Sequence, residues 1–188
     1  MHLQTLVLAP LVATGLASAI PYSNPEPKAV VFEALALRSA TDIHFSSIQA
    51  AKSNIFLQLP HQKAVCEHRS DNAATFKLVG GELFLYREAG PHQQLYVDRS
   101  GMGQGKLGYT TGSQSAPRNA ERKGWKIEKG GILGFKGNSF VACPHSIDNS
   151  WSVWIYNGIK NPGGNKGCLD FIAQTATIKD PNSCKYTQ

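Results

Sequence analysis

The residues best equipped for chemistry in this chain are four cysteines, six histidines and one glycine-rich run. Cys66-Glu67-His68 and Cys143-Pro144-His145 are two Cys-x-His pairs, the ligand types of a mixed zinc site. Structural zinc sites instead space two cysteines, or two histidines, a few residues apart, and in an oxidising compartment disulfide formation competes for both thiolates. Gly103-x-Gly105-x-x-Gly108 has the form of a dinucleotide-binding turn and follows the apolar run Leu95-Tyr96-Val97. Such a turn also needs a helix behind it, whose N-terminus faces the pyrophosphate. Tyr109, Thr110, Thr111, Gly112, Ser113 and Pro117 carry no helical apolar period, so a structural β-loop is expected. Gly105-Lys106 is followed by Leu107 where a phosphate-binding loop places a magnesium-binding hydroxyl.

The histidines, at positions 2, 44, 61, 68, 92 and 145, are scattered, and no Gly-x-Ser-x-Gly or His-Glu-x-x-His pattern is present. The 13 acidic residues can be combined in too many ways to single out a carboxylate pair for glycoside hydrolysis. The expectation is therefore no catalytic residue, no metal and no cofactor. Binding is better represented. Trp151 to Tyr156 reads as a strand with Trp151, Val153 and Ile155 on one face and Ser152, Trp154 and Tyr156 on the other. If the first face is core, Trp154 and Tyr156 form a platform for sugar rings; if both faces are covered, the two are core residues with buried polar partners. Arg118, Arg122, Lys123, Lys126 and Lys129, interrupted by Glu121 and Glu128, form the densest basic run of a chain with net charge +6. That run is either a contact for an anionic polymer or a solvated face.

The elements that must position these residues are short. Apolar runs such as Val30-Val31-Phe32, Ile55-Phe56-Leu57, Leu83-Phe84-Leu85 and Phe140-Val141-Ala142 recur between turn residues from Lys28 onward. This pattern predicts an all-β, antiparallel single domain over 28–188, either a β-sandwich or a β-trefoil-like barrel. Residues 46–54 have room for a short helical turn. Phe76-Lys-Leu-Val-Gly80-Gly81-Glu-Leu-Phe84 and Trp125-Lys-Ile-Glu-Lys-Gly130-Gly131-Ile-Leu-Gly-Phe135 both read as hairpins around a Gly-Gly turn. Cys66, Cys143, Cys168 and Cys184 are expected to form two disulfides. Three pairings are open, and Cys66 with Cys143 and Cys168 with Cys184 is the preferred one.

The run YVDRSGMGQGKLGYTTG, with AAKSNIFLQL before it and GW, VACP, SIDNSW, NPGGNKGC and NSCKY after it, resembles the PhiA (phialide protein A) family of fungal cell wall proteins. The resemblance covers about residues 29 to 188. It implies a secreted wall protein needed for phialide and conidium development, with allergens among its relatives. It carries over no catalytic residue.

At the N-terminus, Leu3 to Leu16 is mostly apolar and Ala17-Ser18-Ala19 is a small-x-small site, so residues 1–19 read as a signal peptide. Residues 20–27, with Pro21, Pro25 and Pro27, read as an extended arm. The C-terminus is polar, which predicts no lipid-anchor tail and no membrane anchor. No Asn-x-Ser/Thr acceptor is present. The expected partners are wall polysaccharide or other wall proteins rather than nucleic acid. The alternatives are a secreted carbohydrate-binding module or effector, and a small secreted hydrolase.

Overall fold

Val30–Leu37 buries every second side chain, Phe32, Ala34 and Ala36, and so forms the first strand, β1, with one face inward. This is seen in a computed structural model that describes residues 28–188; the expected signal peptide and N-terminal arm lie outside the described residues. The strands that follow are β2 (Ile48–Ala51), β3 (Asn54–Leu57), β4 (Val65–Cys66), β5 (Phe76–Val79), β6 (Glu82–Leu85) and β7 (Gln93–Asp98); β6 alternates in the same way, whereas β2 is buried on both faces. The chain continues through β8 (Lys106–Thr111), β9 (Ala120–Glu121), β10 (Trp125–Glu128), β11 (Ile132–Phe135) and β12 (Phe140–Cys143). The chain ends with β13 (Trp151–Ile155), β14 (Leu169–Thr177) and β15 (Cys184–Lys185).

All pairings are antiparallel, as expected, and the sheet closes. Its order runs β1-β5-β6-β7-β8-β3-β13-β12-β14, and β14 then pairs with β1 from Phe32↔Thr177 to Leu37↔Ile172. A closed barrel leaves fewer free edges to template unwanted pairing than a sandwich does. The two Gly-Gly hairpins form as read, as β5–β6 and β10–β11. They also meet: the backbone N–H groups of Gly124 and Trp125 both donate to Gly81 O, at 2.9 and 3.0 Å. The barrel interior holds stacked aromatics, with ring centroids 5.8 Å apart for Phe32 and Phe76 and 5.4 Å for Phe140 and Phe171.

Two expectations are corrected. Residues 46–54 hold no helical turn; β2 and β3 form a hairpin whose turn residues Lys52 and Ser53 have φ of 46° and 57°. A two-residue hairpin loop of type I′ requires positive φ at both positions, and Asn54 Nδ2 braces this one by donating to Lys52 O at 2.5 Å. The disulfides are Cys66–Cys184 and Cys143–Cys168, not the preferred pairing. Sheet register decides this. Cys184 of β15 stands directly opposite Cys66 of β4, and β12 pairs with β14 at Ala142↔Leu169, bringing Cys143 to Cys168. The nine-residue strand β14 leads away from Cys168, a span of about 30 Å at ~3.3 Å per residue.

The glycine run is the β7–β8 connection, so the structural reading of it holds and the run opens no helix. Gly105 shows why glycine is required there. Its φ is +92°, and a Cβ built on it would lie 2.0 Å from the carbonyl oxygen of Ile155. Its own carbonyl accepts from Ile155 N at 2.9 Å, so the loop is laced to β13 through a close backbone approach.

Candidate binding clefts at the barrel rim

One end of the barrel is filled by the chain's own C-terminus. Tyr186 is 1% exposed, and the amide of Gln93 pairs with its backbone like a neighbouring strand. Tyr186 N donates to Gln93 Oε1 at 2.8 Å and Gln93 Nε2 donates to Tyr186 O at 2.9 Å. Tyr109 Oη donates to Thr187 O, and the Cys66–Cys184 disulfide staples the segment from its other side. Burial pushes the Tyr186 phenol up to about 12, so it stays neutral.

The other end carries polar side chains from four separate segments. Arg99 and Ser100 follow β7, Asn119 and Glu121 come from β9 and its approach, Asn138 lies between β11 and β12, and Asn157 follows β13. Together they line a cleft of about 550 Å³. Arg99 donates to both oxygens of Glu121, at 2.7 and 3.0 Å, and Lys136 Nζ donates to Glu121 Oε2. The Arg99 hydrogen bond is the main reason the Glu121 carboxyl is held down at about 2; burial opposes the shift and Lys136 adds to it.

A second cleft, of about 340 Å³, is lined by Ser139, Val141, Tyr156, Lys160 and Asp170. Tyr156 is 39% exposed, and Asp170 is held by Arg38 Nη1 at 2.6 Å. Its neighbour Trp154 is only half-buried yet already occupied. The indole packs on Val141 and the Cys143–Cys168 disulfide, donates to Ser152 Oγ at 3.0 Å, and carries Lys106 Nζ 5.1 Å from its ring centroid. A Cβ on Gly163 would come within 2.7 Å of the ring, so the backbone of that turn presses on it. Desolvation holds the Lys106 ammonium below the usual lysine range. Val153 and Ile155 are buried, with Trp151 packed against the core, so this face of β13 is the inward one.

The full chain matches wall proteins from several fungi. It is 43% identical to "Cell wall protein phiA" of Aspergillus fumigatus over 188 residues, covering 100% of both chains. It is also 43% identical to the protein of the same name in Aspergillus niger over 187 residues, covering 100% of this chain and 99% of that one. The corresponding Emericella nidulans protein is 43% identical over 180 residues, with 95% and 96% covered. The model of the PhiA-like secreted protein family matches residues 32–187. This chain belongs to the PhiA-like secreted protein family. No solved structure matches it. The PhiA-like family is a secreted one and these relatives are named for the cell wall, which places the chain outside the membrane, at the wall. None of the three relatives bears an enzyme's name.

Within this PhiA-like fold, both Cys-x-His pairs have surrendered their sulfurs to disulfides with other partners. Among the described residues no three His, Cys, Asp or Glu side chains gather as metal ligands. The basic run is dispersed in its roles. Arg118, Lys123 and Lys126 are exposed, and Lys126 pairs with Glu128 at 3.0 Å. Arg122 is half-buried and spends Nη2 on Thr110 Oγ1 at 2.8 Å. None of the four lines either cleft. Tyr156 does, whereas Arg99, Asn119, Glu121, Asn138, Asn157, Lys160 and Asp170 were not singled out in the sequence. Their common signal is polarity at or just beyond a strand end, which many surface residues share.

The Arg99–Glu121–Lys136 cluster gives a pH prediction. A carboxyl whose folded value lies below its ordinary one stabilises the fold fully above about 4.5 and loses that contribution as pH falls toward about 2. The pair is partly solvated, with 30% and 28% of the Arg99 and Glu121 side chains exposed, so about 1 kcal/mol is the expected scale. Glu121→Gln is expected to melt lower than the parent at neutral pH, with the gap shrinking between about pH 4.5 and 2. Thermal melts of both proteins across that range measure it; a gap that does not depend on pH would refute the assignment.

Proposed function

We propose that this chain is a noncatalytic cell wall protein that takes part in phialide and conidium development, held in the wall through its contacts with wall polymer or other wall proteins. The observation that carries this reading is the end-to-end likeness to proteins named for the wall, at 43% identity with no missing region. The apolar run and small-x-small site read as an export signal at 1–19, the two disulfides and the closed barrel all suit a protein that persists outside the cell. Fractionating a sporulating culture tests the location, and deleting the gene tests the role. The expected results are recovery in the wall fraction and malformed phialides with fewer conidia. Protein found only in the medium, together with normal conidiation in the deletion strain, would defeat the proposal.

A sugar-binding reading is favoured by one observation, the exposed phenol of Tyr156 beside Ser139, Lys160 and Asp170 in an open cleft. An aromatic face next to hydrogen-bonding side chains is suited to a sugar ring, whose C–H face is apolar and whose rim is hydroxylated. Trp154 does not line that cleft; it packs against Val141, which does.

A further inference from the structure

On the outside of the barrel, β5 and β6 present a mixed set of side chains close to the start of β7. Lys77 stands opposite Phe84 across the β5–β6 pair, and both are half-buried, while their strand neighbours Phe76, Leu83 and Leu85 are buried. Val79 lies two residues along from Lys77 and shares its face. Arg87 follows β6, and His92, just before β7, meets the Phe84 ring edge to face with centroids 6.0 Å apart. With Leu85 these residues line a third cleft, of about 170 Å³, which shares no lining residue with the two at the rim.

Its lining combines an apolar wall with unpaired positive charge. Val79, Phe84 and Leu85 bring only hydrocarbon side chains, and a space of about 150 Å³ between such walls is enough for a benzene-sized body. Lys77 and Arg87 bring two cations, and no carboxylate lines the cleft. Among the described residues neither cation lies within ion-pair distance of an acidic side chain. The acidic residues of the same segment are engaged elsewhere: Glu82 accepts from Gln94 Nε2 at 3.1 Å and Glu88 accepts from Tyr86 Oη at 2.9 Å. Among the described residues the Arg87 guanidinium makes one hydrogen bond, a long one of 3.4 Å from Nη1 to Pro91 O, so its other N–H groups can turn to a ligand. A sugar would find no partner for its hydroxyls on the hydrocarbon wall, and a bare inorganic anion would leave that wall uncovered. A carboxylate attached to one apolar ring satisfies both parts, because a guanidinium matches a carboxylate in shape and charge.

We propose that this cleft binds a small aromatic carboxylate, its ring against Phe84 and Val79 and its carboxylate paired with Arg87 and Lys77. The volume sets the size limit at about one ring.

The test is an amide-detected NMR titration of the purified secreted protein. Phenylacetate is the probe, 2-phenylethanol its uncharged counterpart, and inorganic phosphate the anion without an apolar body. Phenylacetate is expected to shift the amide signals of β5, β6 and residues 87–92 and to bind with a Kd of about 1 mM or tighter, with both comparison compounds at least about tenfold weaker. Raising the salt to about 0.5 M should weaken phenylacetate binding about threefold, since the cations stand at the edge of the solvent. Arg87→Met and Lys77→Met keep an apolar stem and remove the charge, and each is expected to weaken binding about fivefold or more. Lys126→Met removes the same charge from an exposed position outside the cleft and should leave the affinity within about twofold. Should Arg87→Met melt markedly lower than the parent, Lys77→Met decides. No saturation by about 10 mM phenylacetate, equal affinity for phosphate or for 2-phenylethanol, shifts confined to other strands, or an affinity that the two cleft variants leave unchanged would each overturn the proposal. The wall role stands apart from all of these outcomes, because fractionation tests it separately.

Discussion

Tyr186→Ala is expected to lower stability by about 4 kcal/mol, the scale for removing a large buried aromatic side chain. Its ring is 1% exposed in the barrel interior and its Oη accepts from Thr75 N at 2.9 Å. Truncation leaves a cavity, strands that N–H without an acceptor, and loosens the segment that closes this end of the barrel. For a chain of this length, about 4 kcal/mol corresponds to a drop of roughly 8–16 °C in Tm. Tyr186→Phe separates the contributions. It keeps the ring and removes the acceptor, so it should cost about 1–3 kcal/mol, the penalty of an unpaired buried donor. Urea or thermal unfolding of the three proteins decides the matter. A loss below about 1 kcal/mol for the alanine variant, or equal losses for both, would show that the ring does not act as the plug.

The two disulfides are expected to differ in weight. Cys66–Cys184 spans 118 residues and Cys143–Cys168 spans 25. On the chain-entropy account, in which a crosslink stabilises by restricting the unfolded chain, these loops are worth about 5 and about 3.5 kcal/mol. Removing the first, as Cys66→Ala with Cys184→Ala, also frees the β4–β15 pair and the C-terminal plug. Removing the second loosens only β12 against the start of β14, beneath Trp154. The expected order in denaturant midpoint is parent, then the 143/168 double variant, then the 66/184 double variant. The reverse order of the two variants would mean that loop length is not what sets their contributions.

Much of this architecture is written locally. The alternation in Val30–Leu37 and Trp151–Ile155, the Gly-Gly turns at 80–81 and 130–131, and the turn-rich tail of the glycine run each specify a strand or a bend from a few neighbouring residues. That is why an antiparallel all-β domain and the sorting of β13 residues onto two faces could be read directly: side-chain direction in a strand has a period of two and needs no distant partner. Residues 46–54 misled because a Lys-Ser pair gives no sign that both residues will adopt positive φ; only the pairing of β2 with β3 requires it.

What tertiary structure alone decided were the meetings between segments far apart in the chain. Cys168 is near Cys184 in sequence but separated from it by a full-length strand, and the register of β12 on β14 gives it to Cys143 instead. Asn119, Asn138 and Asn157 belong to three different connections, and no local pattern says that these face one cleft while the neighbouring basic side chains Arg118, Arg122, Lys123 and Lys126 do not line it. Trp154 and Tyr156 share a strand face by periodicity, yet the turn at Gly163 covers one and leaves the other open. Periodicity along a strand is a property of the covalent backbone and survives any fold, whereas the closure of the sheet is set by the summed energy of contacts across it. The type of each element was therefore legible from the residues, and the site they make together was not.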